Sequence, residues 1–163
     1  MTKIFFPKRF EDKVMIITGA ARGIGRATAL RAAKEGAKLV LVDNRESEGQ
    51  ETLKMVLEEQ GTAIFLALDI SLEEHCQTIV EEAIKTYGKL DIAINNAGVM
   101  GNPSPLHELP KENMDFTMQN NFYSTYFCCK HEIQKFIEQG QGGVIVNNAS
   151  IAGLTGLPGN PAY

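Results

Sequence analysis

Residues 18 to 25 have the composition and spacing of a turn that grips phosphate. The stretch Thr18-Gly19-Ala20-Ala21-Arg22-Gly23-Ile24-Gly25 follows an apolar run, Val14-Met15-Ile16-Ile17, and leads into an alanine-rich helical pattern. The first N–H groups of a helix have no internal partners, and the helix dipole places partial positive charge beside them. A pyrophosphate can rest there if no Cβ stands in the way. Gly19, Gly23 and Gly25 supply a tight turn, close backbone approach and close helix–strand contact, with Arg22 and Ile24 in the same bend. The spacing is G-x-x-x-G-x-G; the strand before it and the helix after it favour a nucleotide over an ordinary glycine turn.

Other polar residues fall where apolar runs end. Asp43 closes the second run, eighteen residues beyond Gly25. A carboxylate there can accept from both ribose hydroxyls of NAD and repels the 2′-phosphate of NADP. Arg22 and Arg45 argue the other way, since either can meet that phosphate. The balance favours NAD, with a solvated turn carboxylate as the bland alternative. Asp69 closes the third run and can accept from an adenine amino group, with Ile70 offering the ring an apolar surface. Asp69 could instead merely cap the next helix, but Ser71 already suits that role. Asn95-Asn96-Ala97-Gly98 ends the fourth run, two amides followed by small residues that let backbone approach a ribose.

These residues need strand ends to hold them. Apolar runs alternate with helical patterns, which predicts an α/β fold, a doubly wound parallel sheet wrapped by helices. Strands are expected at about Lys13–Thr18, Lys38–Val42, Ala63–Leu68, Asp91–Asn95 and Val144–Asn147. Helices are expected at Arg22–Glu35 and Ser47–Gln60, then from a capping box Ser71-Leu72-Glu73-Glu74 to Gly88, and as one long helix over Lys111–Gln139. The second, third and fifth strands are near-continuously apolar, as strands covered on both faces are. Right-handed crossovers give the order 3-2-1-4-5, a Rossmann fold, with ligand at the carboxyl ends where the order reverses.

The chain has 163 residues, 44% hydrophobic and 22% charged, with net charge -4. That suits one domain, 1–163, gives no electrostatic footprint for nucleic acid, and offers no apolar run of membrane length. Ile4-Phe5-Phe6 is too short for a signal-peptide core and is followed by Pro7, so a cytoplasmic protein is expected. Phe5, Phe6 and Phe10 could form an arm packed on the domain or a neighbour. Cys76, Cys128 and Cys129, and His75, His107 and His131, show no metal spacing, so no metal is expected.

Ser150 and Tyr163 stand thirteen residues apart across a Gly/Pro-rich segment. With Thr18-Gly19-x-x-x-Gly23-x-Gly25, Asp43, Asp69, Asn95-Asn96-Ala97-Gly98 and Asn121, they form an ordered set from near the start to the last residue. In this the chain resembles the short-chain dehydrogenases/reductases of the common single-domain type. The resemblance implies that Ser150 hydrogen-bonds the substrate oxygen and Tyr163 is general acid or base. It further implies that Asn121 holds a water in the proton relay, and that Asn96 stabilises the central sheet. The implied reaction is hydride transfer between NAD(H) and a secondary alcohol or ketone, in a homotetramer with Lys111–Gln139 at one interface. Two alternatives stand beside it: an NADPH-dependent ketoreductase acting on acyl thioesters, and a non-catalytic nucleotide-binding module.

The family pattern continues Tyr-x-x-x-Lys, and this sequence stops at Tyr163. The lysine ammonium favours the phenolate, which a free tyrosine reaches in only about one molecule in a thousand at neutral pH. The expectation is a piece of a longer protein, and a catalytically dead, poorly soluble chain if these residues stand alone.

Overall fold

The computed structural model describes Phe6 and residues 8–163. The signal-peptide and arm readings therefore lie partly outside the described residues, at Ile4, Phe5 and Pro7. Within them, Phe10 packs on the core and the Arg9 guanidinium lies 4.8 Å from its ring centroid.

Five strands, β1 (Val14–Thr18), β2 (Lys38–Asp43), β3 (Thr62–Ala67), β4 (Ile92–Asn95) and β5 (Val144–Asn147), form one sheet in the order β3-β2-β1-β4-β5. Every pairing is parallel. Helices α1 (Gly23–Lys34), α2 (Glu46–Glu58) and α3 (Glu73–Tyr87) make the first crossovers. Next come α4 (Lys111–Met118) and α5 (Ser124–Gln139), ahead of β5.

Alternation along the strands explains the continuous apolar runs. Met15, Ile17, Leu39 and Leu41 face one core with Ala29, Ala32, Ala33 and Val56 of α1 and α2. Val14, Ile16, Val40 and Val42 face the other with Ile79, Val80 and Ala83 of α3 and Phe136 of α5. The order turns outward from β1 to β2 on one side and to β4 on the other. A crevice therefore opens at their carboxyl ends.

One expectation is refined and one corrected. The long helix runs from Lys111 to Gln139 as expected, with a π-helical turn, Gln119–Tyr123, between its α4 and α5 parts. Hydroxyls return to the main chain there, Ser124 Oγ to the Asn120 carbonyl at 2.6 Å and Thr125 Oγ1 to that of Asn121 at 2.8 Å. Such local bonds compete with the regular ladder. Ser71 caps nothing: α3 starts at Glu73 with Leu72 before it and no side-chain cap. The Asp69 carboxylate accepts from the Ser71 N–H at 2.9 Å, a local turn ahead of α3 and not a helix cap. Within these residues β5 pairs with β4 alone, and Val144 and Val146 are 56% and 47% exposed.

Candidate active site

The crevice is a groove of ≈ 1190 Å³ at the strand tips. Of the residues singled out by sequence, Gly19, Arg22, Gly23, Ile24, Asp43 and Asp69 line it. So do Ile70, Asn96, Ala97 and Gly98. Gly25, Asn121, Ser150 and Tyr163 do not.

The turn leaves room where an anion would sit. Arg22 precedes α1 with extended backbone and gives no side-chain cap, and the first turn of α1 carries no acid. The first turns of α2, α3 and α4 each carry at least one. The chain thus leaves the positive end of α1 alone uncompensated among these four helices. Glycine is needed at all three positions, Gly19 included, where φ is +65° and a Cβ would lie 2.9 Å from Ala97 Cα. At Gly25 a Cβ would lie 2.0 Å from the Gly19 carbonyl oxygen. At Gly23 a Cβ would meet nothing, but φ is +57°, a left-handed conformation that side chains resist. A diphosphate fits this site by chemistry and by space.

Behind the turn, one hydroxyl and one amide hold the backbone. Thr18 Oγ1 accepts from the N–H groups of Asn96 at 3.0 Å and Ala97 at 3.2 Å. Asn96 Nδ2 donates to the carbonyls of Thr18 at 3.1 Å and Gly19 at 3.3 Å. These bonds tie the tip of β4 to the turn after β1. Asn148 was not foreseen; its Nδ2 donates to Asn96 Oδ1 at 2.9 Å from the tip of the neighbouring strand. A doubled Asn at the ends of both β4 and β5 was its only signal.

Asp43 is fixed on both oxygens, accepting from the N–H of Ala21 and of Arg45, each at 3.0 Å. Each carboxylate oxygen retains a further lone pair. Arg45 pairs with Glu48 at 3.5 Å, and both Arg45 and Arg22 line the groove with Asp43.

The catalytic candidates are placed less completely. Ser150 Oγ accepts from the Ala152 N–H at 3.1 Å, which leaves its own proton to donate. Tyr163 is 39% exposed, and its N–H bonds the Asn160 carbonyl at 3.3 Å. Asn160 Nδ2 in turn donates to the Met100 carbonyl at 2.8 Å, joining the Tyr163 segment to the loop after β4. The Asn121 amide is engaged at both ends by Val99, accepting from its N–H and donating to its carbonyl, both at 2.8 Å. It braces that loop. Among the described residues, no three His, Cys, Asp or Glu side chains gather as a metal site. No described helix is long and apolar enough to cross a membrane.

The family model described as short chain dehydrogenase matches residues 13–163. The chain belongs to the short-chain dehydrogenase family. A 3beta-hydroxysteroid dehydrogenase of Mediterraneibacter gnavus is 40% identical over 98% of this short-chain dehydrogenase chain and 57% of its own length. A CLA biosynthesis dehydrogenase/reductase of Lactiplantibacillus plantarum is 38% identical over 96% of the chain and 54% of its own. The crystal structure of NAD+-bound xylitol dehydrogenase superposes with a TM-score of 0.92 at 33% identity, covering 96% of this chain and 60% of that one. The chain thus spans little more than half the length of the relatives it matches.

Proposed function

We propose that the protein containing this chain is an NAD(H)-dependent oxidoreductase that interconverts a secondary alcohol and a ketone. The observation that carries the reading is the uncapped, acid-free start of α1 opening on the groove, with Asp43 held at the neighbouring strand tip. Its membership of a dehydrogenase family, with relatives named as dehydrogenases, supports the reaction class. When bound, the nicotinamide nucleotide supplies the hydride acceptor or donor.

The chain's own residues would do the rest. The amides of α1's first turn hold the diphosphate, with Arg22 beside them. Asp43 takes the ribose hydroxyls on its free lone pairs. Asp69 and Ile70 border the adenine, while Asn96, Ala97 and Gly98 border the second ribose. Ser150, with its hydroxyl proton uncommitted, donates to the substrate oxygen. Tyr163 accepts the alcohol proton in oxidation and returns it in reduction. Asn121 acts through the loop it braces, and through water as the family resemblance implies. A cytoplasmic homo-oligomer built on the exposed faces of α5 and the π turn belongs to the same proposal. The NADP reading keeps one specific support, that Arg22 and Arg45 line the same groove as Asp43.

The test uses the full-length protein, a panel of secondary alcohols and both nicotinamide nucleotides. Turnover with NAD should exceed that with NADP, and Tyr163→Phe should lower kcat by about 100-fold or more while NAD still binds. Preference for NADP would overturn the cofactor assignment, and a fully active Tyr163→Phe variant would overturn the mechanism.

A further inference from the structure

Behind the groove, a buried carboxyl group has no place in the chemistry above. Glu132 of α5 is 1% exposed and lies against the sheet beneath the paired tips of β4 and β5. Asn95 Nδ2 donates to its Oε2 at 3.1 Å and to Asn147 Oδ1 at 3.0 Å. Cys129, one helical turn earlier, donates to the same Asn147 oxygen at 3.5 Å. Asn95 Oδ1 is buried without a partner, so the Asn95 amide is held through its nitrogen alone.

The next residue on each strand points the other way, since side chains alternate along a strand. After Asn95 comes Asn96, and after Asn147 comes Asn148; both line the groove and bond each other. There are thus two layers. The lower one, Glu132–Asn95–Asn147, joins α5 to two strand tips. The upper one, Asn148–Asn96–Gly19, carries that alignment to the phosphate turn. Ser150 follows two residues beyond Asn148.

We propose that Glu132 is a positioning residue for the cofactor groove, fixing through Asn95 and Asn147 the strand tips that hold Asn96 and Asn148. The inference rests on the nicotinamide-nucleotide reading above only for its functional readout. Leucine at this position would fill space and bury more comfortably, yet it would leave the Asn95 amide without one of its acceptors. The facing groups are the Asn95 and Asn147 amides from the strands and the Cys128 and Cys129 thiols of its own helix; Cys76 of α3 lies against Cys128. No cation pairs with Glu132 among the described residues, and burial pushes its carboxyl up to about 7 against the pull of the Asn95 hydrogen bond.

The experiment compares full-length wild type with Glu132→Gln, Glu132→Leu and Asn147→Ala, by NAD titration, steady-state kinetics and NMR of the Asn side-chain amides without cofactor. Glu132→Gln keeps an oxygen for Asn95, and its NAD affinity should stay within about twofold of wild type. Glu132→Leu should weaken NAD about 10-fold or more and displace the Asn96 and Asn148 amide signals, with its thermal midpoint kept or raised. Asn147→Ala should behave like Glu132→Leu, and it decides the matter if the leucine variant does not fold. Wild-type affinity and unshifted Asn96 signals in folded Glu132→Leu, or in Asn147→Ala, would overturn the proposal, as would equal damage from Gln and Leu. If wild type binds no NAD, the cofactor reading falls, while the amide signals still judge the positioning role.

Discussion

Each site residue touches few others, so single substitutions should have separable effects. Gly25→Ala drives a methyl into the Gly19 carbonyl, 2.0 Å from the new carbon. Chemical denaturation should show a loss of about 1–3 kcal/mol, with NAD binding abolished in the protein that still folds. Gly23→Ala meets no atom and strains only its φ, so it should cost about 1–2 kcal/mol and keep the groove's shape. Asp43→Ala removes the ribose acceptor and the barrier to a 2′-phosphate. The kcat/KM ratio of NAD to NADP should fall by about 10- to 100-fold, and an unchanged ratio would mean that Asp43 serves only the Ala21 and Arg45 amides. The glycines, Asp43 and Asn96 could be singled out in the sequence because each follows or ends an apolar run in a recognisable motif, although Asn96 bonds Thr18 and Gly19 from the far end of another strand. Asn148 and Glu132 belonged to no such motif, and only the folded sheet brings their partners to them. Asn121 was legible as a motif member, but not as the brace for Val99, since that contact depends on the path of a loop.

At the scale of elements, strand and helix types followed from periodicity, and the order β3-β2-β1-β4-β5 followed from right-handed crossovers. Apolar spacing did not record the local detail: the π turn before α5, where Ser124 and Thr125 return hydroxyls to the main chain, and the uncapped start of α3 after the Asp69–Ser71 turn. The junction of α5 with β4 and β5 also has a pH signature. The Glu132 carboxyl rises from an ordinary 4.5 to about 7 on folding, chiefly through burial. The folded chain then holds a proton that the unfolded chain releases, so stability is full below the unfolded value and is lost as pH climbs through that window. Wild type should lose on the order of 3 kcal/mol relative to Glu132→Gln between about pH 4.5 and about pH 7, and no more above it. Parallel denaturant titrations across that range measure the difference. Curves that stay parallel would place a charged, better-solvated carboxylate at this site.

At the scale of all 163 residues, a second, apolar surface is exposed. Phe122, Tyr126, Ile133 and Ile137 are 60%, 53%, 48% and 73% exposed, and Val144 and Val146 of edge strand β5 are half-exposed. Apolar faces and open strand edges of this kind attract partners. The 163 residues of this chain, expressed alone, should self-associate, and light scattering at increasing concentration reports it; a monodisperse monomer would contradict this. The central claim concerns the other face, where the bare start of α1 meets the strand tips. Isothermal titration of NAD into the folded full-length protein tests it most directly. Saturable heat at one nucleotide per chain, lost in Gly25→Ala, is the predicted result; no heat up to about millimolar nucleotide in folded wild type would contradict the account.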